Sequence, residues 1–397
     1  MANMSKQHII AYINMMLVCI LLVILCAGCH FSSTGTMVYD YQKEMIVNFQ
    51  PSPPLPGRFR EVIIHASPKH SCFFTMQNVE EDGNRCTLIR KKDYTGLELA
   101  SYRVMCSVFP ESRSFAFSPE CDRLFITGAH PIDVNKKDHN TITLNDMQGF
   151  SCWCDLPENS HNIEILPRKL PSTFVLNMYL QSSMFHRQHA FLSKDILLCV
   201  LHKGSIFSSI LPILNYTNDS FPVFLSRIDL TTNKYQVIKQ LKQDDGTDFT
   251  VIPDDKIGIK VNDDGKAVIL VDHQLYIYDD KEKKLSEGIH IVELPHTDSI
   301  MENNFSWISN EEICVWKFYD DENKGDYVIY NITTGEKQIG RINDLIRDFY
   351  TPSICSTLDA VINLSTKEQK KYPSKLGSRI YEVFWLRDGL LGFTCDF

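Results

Sequence analysis

The sequence has no G-x-S-x-G elbow, no H-E-x-x-H and no phosphate-binding G-x-x-x-x-G-K. These absences remove the familiar routes to serine hydrolysis, zinc proteolysis and nucleotide hydrolysis. It has no excess of basic residues. The formal net charge of −9 argues against a nucleic-acid binder, which needs a basic stripe, and against adhesion to anionic lipid by charge alone. No long segment carries helical periodicity, so an all-α or alternating α/β fold is excluded. Metal-ligand spacing is also missing. Cys152 and Cys154 share a strand face but no further ligand lies close by, and His186-x-x-His189 has no third partner. Asp263-Asp264-Gly265 lacks the alternating acids of a calcium loop. Neither a metal nor another cofactor is expected.

What is present begins with the leader. Ile9 to Gly28 form an apolar run of about twenty residues, preceded by Lys6 and interrupted only by Asn14. A basic start, an apolar run and a small-residue exit describe an export signal, cleaved or kept as a membrane anchor. The exit reads Ala27-Gly28-Cys29, with Cys26 three places before Cys29 and Leu25 one further back.

This exit resembles the lipobox of bacterial lipoproteins. The resemblance implies cleavage before Cys29, diacylglycerol on its thiol and a palmitate-bearing, membrane-held mature chain. Residues 1–28 are then a signal peptide or membrane anchor, and 29–57 a tether. The tether is polar at FSSTGT and crowded with Pro51, Pro53, Pro54 and Pro56, a composition that favours extended spacers.

From residue 58 to 397 the chain reads as short strands and turns. REVIIHA (60–66), HSCFFTMQ (70–77) and CTLIRKK (86–92) are β-rich, with a turn at 81–84. A strand–polar turn–apolar strand pattern recurs around Pro119–Asp122, Asn262–Gly265 and Ser309–Glu312. Outer hairpin turns recur at Thr231–Asn233, Asp279–Glu282 and Thr333–Glu336, a spacing of about 50 residues. The segment 140–156 fits the same slot, Asn343–Tyr350 reads as a short helical turn, and Pro167–Gln188 holds another short helical piece. The spacing predicts an all-β propeller of six to seven four-stranded blades. The last segment, EVFWLRDGLLGFTCDF, pairs with early strands to close the ring. In pattern, though without a Gly-His…Trp-Asp signature, 58–397 resembles WD-repeat-type and Tol-associated propellers.

Ten cysteines follow the leader. An exported chain permits disulfides. Cys72 and Cys86, flanking a hairpin, are the candidate bridge, whereas Cys199, Cys314 and Cys395 read as small buried side chains on strands. The paired acids of the hairpins, such as Asp263-Asp264 and Asp279-Asp280, read as solvated turns. Asn215 and Asn218 match the glycosylation pattern. The apolar insertion 203–221 is either a wandering core strand or a partner-binding loop.

No catalytic set emerges. The expected protein is a membrane-tethered, extracytoplasmic binding or scaffold module for a protein or glycan at the cell envelope, held by lipid or by its N-terminal helix as a single-pass protein, without nucleic-acid contact. The alternative is a propeller glycosidase or lyase with carboxylates around the central channel.

Overall fold

The computed structural model describes residues 34–51, 61–81, 84–104, 115–131, 147–165, 168–169, 189–202, 222–243, 245–249, 257–290, 304–319, 324–357, 359–373, 379–386 and 389–396. The chain enters through β1 (Thr34–Asp40) and β2 (Met45–Pro51), an antiparallel pair. Six sheets follow in sequence order. The first is β3 (Val62–Ser67), β4 (Cys72–Glu81), β5 (Asn84–Asp93) and β6 (Glu98–Val104). The second has β7 (Phe115–Phe117), β8 (Arg123–Pro131) and β9 (Met147–Asp155). From β9 the chain adds β10 (Ile163–Ile165) to the outside of β6, then returns as β11 (Arg168–Lys169) beside β9.

The third sheet is β12 (His189–Ser193), β13 (Ile196–His202), β14 (Val223–Asp229) and β15 (Lys234–Leu241). The fourth is β16 (Ile257–Val261), β17 (Lys266–Val271) and β18 (Gln274–Asp279), with β19 (Lys284–Leu285) and β20 (Ile289–His290) both on β18. The fifth is β21 (Asn304–Trp307), β22 (Glu312–Tyr319), β23 (Lys324–Asn331) and β24 (Lys337–Ile342). The sixth is β25 (Ile346–Thr351), β26 (Ile354–Thr357), β27 (Ala360–Asn363) and β28 (Gln369–Lys371). Finally β29 (Arg379–Trp385) and β30 (Leu390–Asp396) return to β1, giving a seventh sheet in the order β2-β1-β30-β29. The fold is a seven-bladed β-propeller. The first strands of neighbouring blades touch in ring order from β25 through β29, β3, β7, β12 and β16 to β21, and blade five meets β25 through β22.

A blade has two apolar faces because it is covered on both sides, and the burial follows that rule. Among the described residues, each of the seven blade junctions holds one apolar cluster. Alternation along β9 shows the division, since Cys152 and Cys154 face the first blade while Trp153 faces the third. Cys199, Cys314 and Cys355 are likewise small, fully buried side chains at junctions.

Five of the outer hairpins share one device. The last residue of the third strand is Asp or Asn, and its side-chain oxygen accepts the N–H groups two and three residues on. Asp40, Asp229, Asp279, Asn331 and Asn363 all do this. Four residues after each, the chain turns through the left-handed region, at Glu44, Asn233, Lys283, Gly335 and Lys367. An Asx-turn fixes the bend and the left-handed residue reverses the strand. The outer hairpin turns expected at 231–233, 279–282 and 333–336 fall on this device.

Three expectations are corrected. Residues 34–51 are not spacer but the two outer strands of the closing blade. Met37, Val38 and Tyr39 are buried there, and they sit in the slot the polar FSSTGT start concealed. Asn343–Tyr350 holds no helical turn. Ile346 and Phe349 are both buried, a helix-like spacing, because the β25–β26 register shifts between Ile346 and Asp348. Such a bulge puts residues three apart on one face. Cys72 and Cys86 do not bridge. Cys72 lies opposite Asp93 and Cys86 opposite Val79, at the two ends of a long hairpin. That places them roughly 20 Å apart at strand rise, where a disulfide needs Cα atoms within about 7 Å. The segment 203–221, His186, nearly all of 167–188 and Cys29 lie outside the described residues.

Candidate functional site

In a four-stranded meander the first-to-second and third-to-fourth turns lie on one face of the ring. The second-to-third turns and the links between blades lie on the other. The first of these, the turn face, brings together the chemically richest side chains among the described residues.

In blade one, β3 and β4 are joined by a 3-10 turn at Pro68–His70, and Ser67 pairs with Cys72. In blade two, the turn at 118–122 is built by Ser118. Its hydroxyl oxygen accepts the N–H groups of Asp122 (3.2 Å) and Arg123 (3.0 Å) and donates to the Asp122 carboxylate (2.8 Å). The Cys121 N–H donates to the Ser118 carbonyl at 2.8 Å, with Cys121 itself at φ 56°. That left-handed backbone is uncommon outside glycine and asparagine. It turns the Cys121 side chain inward, where it is 3% exposed.

Inside the turn, Cys121 meets Cys72, which is 0% exposed, and the two thiols are hydrogen-bonded. His65 Nε2 stands 4.0 Å from Cys121 Sγ, and its ring is stacked on Phe117 at 4.7 Å between centroids. The Cys72 S–H donating to Cys121 is the largest influence on it. Burial works against ionisation, and His65 and Ser67 favour it. The result pushes the Cys121 thiol down to about 4, while Cys72 is driven up, first by the same hydrogen bond and then by burial. The two thiols are thus driven apart in acidity, with Cys121 the more readily ionised of the pair, and the thiolate is the form in which a cysteine reacts.

Around this core the turns are laced by charge. Lys69 pairs with Glu120 at 2.6 Å, and His70 Nε2 lies 3.0 Å from the Pro119 carbonyl. Lys194 of the third blade reaches Asp122 at 2.5 Å. Arg123 joins Asp155 and Asp195 and covers one side of Trp153, while Arg168 covers the ring at 4.6 Å. Lys69, Glu120 and Lys194 are each about half exposed, so this face offers both charge signs to a partner.

The acids singled out from sequence are scattered. Asp263 and Asp264 are exposed turn residues, Asp279 caps its turn, and Asp280 is paired with Arg227 at 2.8 Å. Among the described residues the seven innermost strands carry two acids, Asp348 and Glu382. Burial raises Asp348 above the ordinary carboxylate range, and the Lys260 charge opposes it. His189 is buried against Phe125, with ring centroids 5.1 Å apart. Among the described residues no group of three ligand side chains could hold a metal ion. Sequence reading missed Cys121 and His65 as a pair. The visible signal was a cysteine in the Pro-Glu-Cys-Asp turn of a repeat whose equivalent turns are polar.

No protein-family model matches the chain, and no curated protein matches it in sequence. Among solved structures it resembles an oligogalacturonate lyase in complex with manganese, at TM-score 0.43 and 10% identity over 83% of this chain and 87% of that one. The extracellular domain of a one-component system from B. thetaiotaomicron aligns at TM-score 0.42 and 11% identity, over 85% of this chain but 38% of that one. An uncharacterised protein of Listeria monocytogenes aligns at TM-score 0.38 and 10% identity, over 82% and 83%. These likenesses concern the propeller fold, not a shared activity.

Proposed function

We propose that this chain is a membrane-tethered, extracytoplasmic propeller that binds a protein or glycan at the cell envelope through its turn face. The observation that carries the reading is the direction of β1. As the third strand of its blade, it begins on the face opposite the turn face, so whatever precedes Thr34 emerges there. Cys29 is the expected lipid site, and residues 30–33 alone separate it from β1. Four extended residues span at most about 14 Å. A ring held so closely keeps that face against the bilayer and presents the turn face, with Lys69, Glu120, Asp122 and Lys194, outward. An uncleaved helix over 9–28 gives the same orientation. A rigid ring with mixed charge suits recognition by complementarity rather than covalent turnover. The glycosidase or lyase alternative has less support, because two inner-strand acids among the described residues fall short of a converging carboxylate set.

The test uses native cells. A membrane-impermeant amine reagent is expected to label Lys69 and Lys194 without lysis. Intact mass of the membrane fraction is expected to show a chain starting at Cys29 with added acyl mass, lost in Cys29→Ser. Labelling only after lysis overturns the extracytoplasmic reading. An unmodified chain indifferent to the substitution overturns the lipid anchor and leaves the helix.

A further inference from the structure

The buried thiol pair belongs to two different blades. Cys72 opens β4 of blade one, and Cys121 sits in the first turn of blade two. Both side chains are buried in one cluster that includes Phe74, Phe117 and Leu124, and Cys121 Sγ lies 4.0 Å from His65 Nε2 of blade one. The turn that carries Cys121 is fixed by the three Ser118 hydroxyl bonds described above, and the Lys69–Glu120 ion pair ties the two turns together at the rim. The two turns that carry the cysteines are therefore held side by side.

We propose that Cys72 and Cys121 form a reversible disulfide that staples blade one to blade two, made by exchange with an external disulfide. In the first step the Cys121 thiolate attacks one sulfur of the external disulfide. A Cys121 mixed disulfide forms and the first external thiolate leaves. In the second step the Cys72 sulfur attacks Cys121 Sγ, the mixed bond breaks, and the second external thiolate leaves. The protons lost by the two cysteines end on the two external thiols. One external disulfide is reduced and two protein thiols are oxidised. His65 beside Cys121 favours the thiolate that begins the exchange. Burial slows access, so exchange proceeds through brief opening of the 118–122 turn. Cys152, Cys154, Cys199, Cys314 and Cys355 are also buried, but none stands in a fixed turn beside a histidine.

The experiment incubates the full chain with oxidised glutathione, then blocks remaining thiols with N-ethylmaleimide in denaturant and maps the peptides. The expected result is one dominant intramolecular link, Cys72–Cys121, reversed by reduced glutathione. The oxidised chain is expected to melt several degrees above the reduced one. Cys121→Ser and Cys72→Ala are each expected to remove both the link and the melting shift. Either variant suffices if the other fails to fold. A folded wild-type chain that stays fully alkylated at both positions, or that links another pair, overturns the proposal.

Discussion

A chain beginning at residue 58 is expected to lose cooperative folding, while one beginning at residue 34 keeps it. The physical reason is that, among the described residues, β1 is the only partner of β30 on its outer side. In the intact ring, β1 pairs with β30 from Thr34↔Asp396 to Asp40↔Leu390. Removal of residues 34–51 uncovers Leu391 and Phe393 and takes Met37 and Tyr39 from the junction with blade six. It also takes Val38 from the junction with blade one. Each such side chain contributes roughly 1.5–3 kcal/mol by burial. Three of them alone remove about 5–9 kcal/mol, comparable with the whole stability of an ordinary domain. The open edge of β30 also becomes a site for aggregation. Urea unfolding followed by circular dichroism checks this. Equal midpoints for the two chains would show that 34–51 is dispensable.

The second large effect is expected at the seam between blades seven and one. Its apolar cluster is small, built on Val38, Ile63, Phe73 and Leu386. A buried polar group supplements it. Lys92 donates to Glu61 at 2.7 Å and also to Gln50 of β2, whose amide donates to the Gly96 carbonyl at 3.1 Å. Arg90 lies 3.4 Å from the same carboxylate. The Lys92 side chain is 4% exposed and that of Glu61 12%. Replacing Lys92 with alanine leaves Glu61 buried with weaker compensation, and a loss of about 3–5 kcal/mol is expected. The pair Glu61→Gln with Lys92→Met is expected to cost less than Lys92→Ala alone, since neither charge is then stranded.

The pH dependence of this seam has a definite sign. Burial pushes the Glu61 carboxyl up, but the Lys92 and Arg90 charges outweigh it and hold it below the ordinary range. A carboxyl lowered in the folded state stabilises fully above its unfolded pKa. That stabilisation is lost as pH falls through the folded value. The wild-type chain is therefore expected to weaken on acidification below about pH 4.5, and Glu61→Gln to weaken less steeply. Urea midpoints across that range measure the difference.

Much of the ring was legible because propeller turns are local chemistry. The recurring hairpins at 229–234, 279–284 and 331–337 announce themselves through an Asx residue followed four places later by a left-handed one. The same device stands at Asp40–Glu44, in Tyr-Asp-Tyr-Gln-Lys-Glu, and marks the closing blade. It was masked by the polar start of β1 and by the prolines from Pro51 onward, which outweigh one hairpin in a composition reading. The thiol pair was less legible. Cys72 and Cys121 are far apart in sequence, and only the turn geometry of adjacent blades brings them together. The supposed Cys72–Cys86 bridge failed for the complementary reason. Proximity in sequence suggested a short hairpin, but the strands run on to Glu81 and Asn84 before turning.

The central claim is that the chain's N-terminal strands close the ring. Amide hydrogen exchange on the full chain tests it most directly. Protection across Thr36–Asp40 equal to that across Leu391–Thr394, both lost only in global unfolding, is the expected result. Fast exchange throughout 34–51 beside a well-protected β30 would contradict it.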